Sequence, residues 1–180
     1  MSGAHTVRSG PGRPTRRRRP MLFVGLSLAG VLMLCIPTVV PARFVWNATA
    51  SAPTGIYVID NDAWRTGDRV AVQPDSLLAA DLETRGVLPR GKLLIKRVAA
   101  GQGDEVCRIE TNVTVNGAVV AVAKITSSAG KPLPTWAGCQ RLASSQVLLI
   151  GETENSYDGR YFGPTAASDV LGRADLVLSF

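Results

Sequence analysis

Ser51 and Lys96 are the two residues whose types and positions could together perform nucleophilic catalysis. A serine hydroxyl is a weak nucleophile at neutral pH and needs a neighbouring base to accept its proton. The only histidine, His5, precedes a membrane-length apolar run and is expected on its other side, so a Ser-His-Asp triad cannot form. Among the four lysines, Lys96 is the one inside an apolar run. The sequence therefore predicts that Ser51 is a nucleophile and Lys96 its base.

A lysine can act as a base only if its neutral form is reached near neutral pH. The ordinary pKa of a lysine is ~10.4, and burial among apolar groups lowers it by up to ~3–5 units. Leu94, Ile95 and Val98 are expected to provide an apolar wall around Lys96. The alternative is a lysine that extends from a strand to solvent or pairs with an acid.

The N-terminal segments are predicted to anchor the chain in a membrane. Residues 1–20 carry six arginines and no acid, which accounts for the net charge of +6 and leaves a neutral remainder that argues against a nucleic-acid partner. Residues 21–42 carry no charge and match the ~20 apolar residues of a transmembrane helix. The arginines at 16–19 predict a cytoplasmic tail and a periplasmic domain at 43–180, attached to the inner membrane by one span. The alternative is a signal peptide cleaved after residues 48–50, for which the run is long.

Two cysteines of the outer domain, Cys107 and Cys139, could form a disulfide in an oxidising compartment, and two free thiols are the alternative. Cys35 lies in the apolar run and is expected to be a packing residue. Because no histidine lies near the outer pair, a metal site is not expected.

The rest of the chain has mostly strand-like patterns, which predict a mostly antiparallel β domain with one short helix. Asn116-Gly117 is a strong hairpin turn signal, and Asp75 or Ser76 is expected to cap a helix over residues 75–87. Residues 127–138, rich in Gly, Pro and Ser, are expected to form a loop. Strands are predicted at residues 55–60, 69–72, 92–100, 105–109, 113–115, 118–123, 146–151 and 175–180.

Four motifs follow the apolar run in order. They are residues 49–55 (Thr-Ala-Ser-Ala-Pro-Thr-Gly), 67–72 (Gly-Asp-Arg-Val-Ala-Val), 94–104 (Leu-Ile-Lys-Arg-Val-Ala-Ala-Gly-Gln-Gly-Asp) and 155–164 (Asn-Ser-Tyr-Asp-Gly-Arg-Tyr-Phe-Gly-Pro). They resemble the nucleophile box, the Gly-Asp strand box, the lysine box and the last box of the signal peptidases of the serine-lysine type. The short chain, its single anchor and its Ser-x-Pro-x-Gly-Ile-Tyr sequence look most like the conjugative-transfer signal peptidases of the TraF type. Ala52 departs from the family's usual methionine, which fits this branch.

The resemblance implies a role for each matching residue. Ser51 would be the nucleophile and Lys96 the general base, whose amine the hydroxyl of Ser156 would orient. The Ser51 backbone N–H, with the Thr49 hydroxyl, would form the oxyanion hole. Asp158 would be either a third catalytic member or half of a structural ion pair with Arg160.

Three aromatic residues near these motifs have two interpretations. Tyr161 and Phe162 could line a substrate groove or lie in the bilayer interface, where aromatic side chains are favoured. For Trp46, which follows the anchor closely, the interface is the better explanation.

The resemblance also implies a fold and a function. The fold would be a single signal-peptidase-like β domain, and the activity that of a membrane-anchored serine endopeptidase that needs no cofactor or metal. Its substrate would be an exported protein, most specifically a pilin precursor that is cleaved and in some cases cyclised. The alternatives are a general leader peptidase and a non-catalytic β domain of a secretion apparatus.

Overall fold

The computed structural model describes Gly3 and residues 43–180. The predicted basic tail at 1–20 and the predicted membrane helix at 21–42 lie outside these residues. None of the helices within the described part of the chain has the length and apolar character needed to cross a membrane.

Within residues 43–180, eleven strands form two antiparallel sheets, and the prediction of a mostly β fold is confirmed. The seven-stranded sheet has the order β1-β2-β11-β3-β4-β9-β10, and the four-stranded sheet has the order β7-β6-β5-β8. The strands are β1 (Arg43–Asn47), β2 (Gly55–Asp60), β3 (Arg69–Val72), β4 (Leu94–Ala100), β5 (Glu105–Ile109), β6 (Asn112–Val115), β7 (Ala118–Val122), β8 (Gly138–Arg141), β9 (Gln146–Ile150), β10 (Thr165–Ala166) and β11 (Val170–Ser179).

The helices are α1 (Ser76–Thr84), α2 (Gly159–Phe162) and a 3-10 turn at Ala167–Asp169. Asp75 caps α1, since its carboxylate accepts hydrogen bonds from the backbone N–H groups of Leu77 and Leu78 at 2.8 Å. The predicted helix was three residues too long at its C-terminal end. Helix α2 was not predicted, because a single turn is too short to show helical periodicity.

Strands β1, β8 and β10 were also missed. Strand β1 begins directly after the apolar run and contains Trp46, which was interpreted as a residue of the bilayer interface. Every residue of β8 is exposed, so its sequence has no alternation to detect.

Strand β8 pairs with β5, and Cys107 lies opposite Cys139 in that pairing. A disulfide joins the two cysteines.

Strand β4 separates two apolar clusters and thereby decides what surrounds Lys96. Leu94 and Val98 face one cluster, while Ile95 faces the other. Because side chains alternate along a strand, Lys96 shares the side of Leu94 and Val98. Ile95 is therefore not part of the apolar wall that was expected around Lys96. Val70 of β3 pairs with Lys96 and lies in the same cluster as Leu94.

Candidate active site

The segment that carries Ser51 is held in shape by Asn47, a buried residue at the end of β1. The Asn47 side-chain amide donates hydrogen bonds to the carbonyls of Thr49 at 2.9 Å and of Ala52 and Pro53 at 3.1 Å. Its oxygen accepts from the Thr49 hydroxyl at 2.8 Å. The residues between Asn47 and Pro53 are therefore folded around one side chain, a role that the sequence patterns did not reveal.

The same network orients the Ser51 hydroxyl. An amide oxygen can only accept hydrogen bonds, so the Thr49 hydroxyl gives its single proton to Asn47. In the contact of 3.0 Å between the Thr49 and Ser51 hydroxyls, Ser51 is consequently the donor. The carbonyl of Ile95, 3.5 Å from Ser51 Oγ, is a second acceptor. In this arrangement Thr49 orients the serine. The hydroxyl proton of Thr49 is donated to Asn47 and is therefore not available to an oxyanion.

Lys96 is 2% exposed, and its amine donates a hydrogen bond of 2.6 Å to Ser156 Oγ. Burial lowers the pKa of Lys96 to about 8; the negative charge of Asp158 raises it in part, and the positive charge of Arg160 lowers it further. At pH 7 this leaves about one amine in ten neutral, compared with about one in 3,000 for an unperturbed lysine. The alternative of a lysine that reaches solvent is wrong for this structure.

Ser51 and Lys96 line one small cavity of about 150 Å³. Thr49 and Ser156 line it as well, so the structure brings together four of the residues selected from the sequence. Within the described residues no hydrogen bond joins Ser51 to Lys96. The serine proton points to Thr49, and the lysine amine donates to Ser156.

Asp158 is completely buried and lies behind this cavity in an ion pair with Arg160. Its carboxylate accepts hydrogen bonds from the backbone N–H groups of Gly151 at 2.7 Å and Arg160 at 3.0 Å, and from the Arg160 guanidinium at 2.7 and 2.9 Å. The guanidinium also binds the carbonyls of Gly151, Thr153 and Glu154. Within residues 43–180 no hydrogen bond joins Asp158 to Ser51 or Lys96, so the pair ties the chain after β9 to the start of α2.

Gly151 provides the space in which Ser156 reaches the lysine. A Cβ atom at this position would overlap the Oγ and Cβ atoms of Ser156 and would approach the Asp158 carboxylate to 3.1 Å. Because Gly151 is 5 residues from Ser156 in sequence and follows a regular strand, only the packing shows that a side chain is excluded here.

Tyr157 forms the wall of the cavity on the side of α1. Its hydroxyl donates a hydrogen bond of 2.6 Å to Asp81, the Arg85 guanidinium lies 5.5 Å from its ring centroid, and its ring stacks on Tyr161 at 5.2 Å. Burial and the neighbouring carboxylate raise the pKa of Tyr157. The prediction that Tyr161 lines a groove or lies in a bilayer is wrong, because it is buried in the core, where Phe162 packs against it.

No group of three His, Cys, Asp or Glu side chains in the described part of the chain is placed to hold a metal ion. The chemistry that the cavity can support on its own is proton transfer between a hydroxyl, an amine and a bound substrate.

Comparison with known proteins gives a consistent set of relatives. The family model described as "Signal peptidase, peptidase S26" matches residues 17–179. The plasmid transfer protein TraF of Escherichia coli is 32% identical over 136 residues, covering 69% of this chain and 77% of that protein. The probable conjugal transfer protein TraF of Sinorhizobium fredii is 32% identical over 180 residues, covering 92% and 93%. A crystal structure of a signal peptidase I from Enterococcus faecalis aligns over 63% of this chain and 98% of that chain, at 16% identity and with a TM-score of 0.37.

Proposed function

The chain belongs to the peptidase S26 family of signal peptidases, as its four motifs predicted, and from this we propose that it is a membrane-anchored serine endopeptidase with a Ser51–Lys96 dyad. Family membership implies a protein substrate. The observation that carries the dyad is the shared cavity, which is lined by both Ser51 and Lys96, the latter with a buried amine whose pKa is about 8.

The proposed reaction is acyl transfer. Ser51 Oγ attacks the carbonyl carbon of the scissile peptide bond while the neutral amine of Lys96 takes the hydroxyl proton. The backbone N–H of Ser51 donates to the developing oxyanion. When the C–N bond breaks, the Lys96 ammonium gives the proton to the departing amine, and the acyl group stays on Ser51 until water or another amine removes it.

Ser156 and the Asp158–Arg160 pair support the amine in this proposal. Ser156 holds Lys96 Nζ at 2.6 Å and so limits where the lysine points. The ion pair positions the chain that carries Ser156, which makes Asp158 a positioning residue in our proposal.

We propose that the substrate is an exported precursor, most specifically a pilin precursor matured during conjugation. The support is the similarity to relatives that are named as plasmid or conjugal transfer proteins. Residues 21–42 would anchor the domain at 43–180 to the periplasmic face of the inner membrane, with residues 1–20 in the cytoplasm. A substrate tethered in the same membrane would then reach the cavity from the periplasmic side of that membrane.

The test is co-expression of the full chain with a candidate pilin precursor and intact-mass analysis of the product. Ser51→Ala and Lys96→Ala should each leave the precursor uncut while remaining folded and membrane-bound. Ser128→Ala and Lys131→Ala change the same residue types at exposed positions outside the cavity and should process normally. A product lighter than the linear peptide by one water would identify cyclisation. Normal processing by either dyad variant would refute the proposal and favour a non-catalytic domain.

A further inference from the structure

A larger groove of about 610 Å³ lies beside the catalytic cavity. Both spaces are lined by Thr49, Val87, Leu88 and Leu94, so the two adjoin each other. All five residues of β1 line one wall of the groove. Among the described strands β1 has a neighbour on one side only, and its other edge offers backbone N–H and C=O groups to an extended peptide. A substrate held at Ser51 can therefore continue along β1.

The groove is basic at the end far from Ser51. Arg43 stands on the β1 wall and Lys92 on the opposite wall, both exposed, and neither forms an ion pair with a described carboxylate. The described residues that line the groove include no Asp or Glu. Two acids in the adjoining segments are paired with arginines, Asp60 with Arg173 and Glu83 with Arg90. The remaining lining is largely apolar, so the two cations are its most selective feature.

We propose that Arg43 and Lys92 form a subsite for the carboxylate side chain of a substrate residue, an Asp or Glu lying about four residues from the scissile bond. Lys92 precedes Lys96 by four positions, or ~13 Å at the strand rise of ~3.3 Å per residue, and an extended peptide covers that distance in about four residues. The inference rests on the proposed peptidase function, because it treats the groove as the path of the substrate. The groove shares four lining residues with the cavity of Ser51, and this adjacency is the reason for assigning the cations to a peptide and not to lipid.

The first experiment measures cleavage by the full-length protein in detergent micelles. The probes are synthetic peptides that span the cleavage site identified in the pilin product, with Glu, Gln or Lys at each position from two to six residues on either side of the scissile bond. We expect kcat/KM to be roughly threefold to tenfold higher for Glu than for Gln at one position near the fourth residue, the size of exposed ion pairs, and lower again for Lys. The preference should weaken as salt is added.

Charge reversal supplies the matched variants. Lys92→Glu and Arg43→Glu should each abolish the preference for Glu at that position, because one cation and one carboxylate then line the subsite, and the double variant should prefer Lys. Lys131→Glu makes the same charge change in a loop outside the groove and should keep the wild-type preference. Cleavage of all the peptides with no charge preference, or a preference that these variants do not change, would overturn the subsite and leave the peptidase proposal standing.

Measuring peptide binding in the absence of cleavage distinguishes a failure of the subsite proposal from a failure of the peptidase proposal. Trp46 lines the groove, so its fluorescence should respond when the same peptides are titrated into the Ser51→Ala protein. If the wild type leaves the pilin precursor uncut, the proposed function fails. The titrations then use overlapping peptides of the precursor with the same substitutions, and their Glu-over-Lys difference alone decides on the subsite. A second titration uses phosphatidylglycerol and phosphatidylcholine vesicles. If Lys92→Glu weakens only the binding to phosphatidylglycerol and leaves peptide preference unchanged, the cations contact lipid and the inference is wrong.

Discussion

Replacing Lys96 with methionine should stabilise the protein at neutral pH and remove a specific pH dependence of its folding. The lowering of the Lys96 pKa from 10.5 to about 8 corresponds to about 3 kcal/mol in favour of the neutral amine in the folded state. At pH 7 the folded protein buries an ammonium, a cost that methionine of similar shape avoids. Allowing about 1 kcal/mol for the lost hydrogen bond to Ser156, we expect Lys96→Met to be about 2 kcal/mol more stable at pH 7.

The sign of the pH effect follows from proton binding. Below about pH 8, Lys96 is protonated in both the folded and the unfolded chain, and its contribution to stability does not change. Between about 8 and 10.5 the unfolded chain still binds the proton while the folded chain has released it, so stability rises with pH. The wild type should therefore gain up to about 3 kcal/mol over this interval relative to Lys96→Met.

The assay is guanidinium unfolding of both full-length proteins in a mild detergent at half-unit steps from pH 7 to pH 10.5, followed by tryptophan fluorescence. Tyrosines and other groups titrate in both proteins and cancel in the difference. Lys131→Met, which removes an exposed lysine, should give a difference that stays flat. A flat or falling difference for Lys96→Met would refute the argument that Lys96 is a desolvated base, and with it the expectation that cleavage rises with pH through about 8.

Three further predictions concern the residues around the dyad and the second sheet. Gly151→Ala should reduce the rate of cleavage at least a hundredfold with little change in substrate binding, because the added Cβ displaces the hydroxyl of Ser156; near-normal turnover would contradict the close approach seen here. Asp158→Asn should lower the unfolding free energy by about 3–5 kcal/mol, since it leaves a buried guanidinium uncompensated. An unchanged melting temperature with lost activity would instead assign Asp158 to the chemistry. Replacing Cys107 and Cys139 together with serine should cost about 2–4 kcal/mol in denaturant unfolding and leave cleavage by the folded protein intact, an outcome contradicted if reductant has no effect on the melting of the wild type.

Local signals in the sequence predicted most of the strands. The residue types that the chain offers led to the hypothesis of a serine nucleophile with a lysine base. Asn116 and Gly117 have φ values of 50° and 83°, so the turn between β6 and β7 follows directly from two residues that tolerate positive φ. The N-cap at Asp75 follows in the same way from a side chain that satisfies nearby backbone N–H groups. The absence of a histidine beyond residue 5 argued against the common triad and left lysine as the predicted base.

The surroundings of the dyad could not be read in this way. Lys96 and Ser156 are 60 residues apart, and the burial that lowers the lysine pKa comes from strands and loops on both sides of β4. Asn47 and Gly151 have no motif of their own, and each acquires its role only from the path of the short loop that follows it, which the sequence patterns do not specify.

What the sequence by itself determined is therefore the set of strands and turns, the family, and the two residue types capable of acyl transfer. The tertiary structure alone decided that the amine is buried, that the Ser51 proton points to Thr49, and that the groove along β1 adjoins the cavity. The physical reason is that turn geometry, capping and side-chain alternation are fixed by neighbours in the chain. Desolvation, hydrogen-bond orientation and excluded volume depend on atoms that only folding brings together.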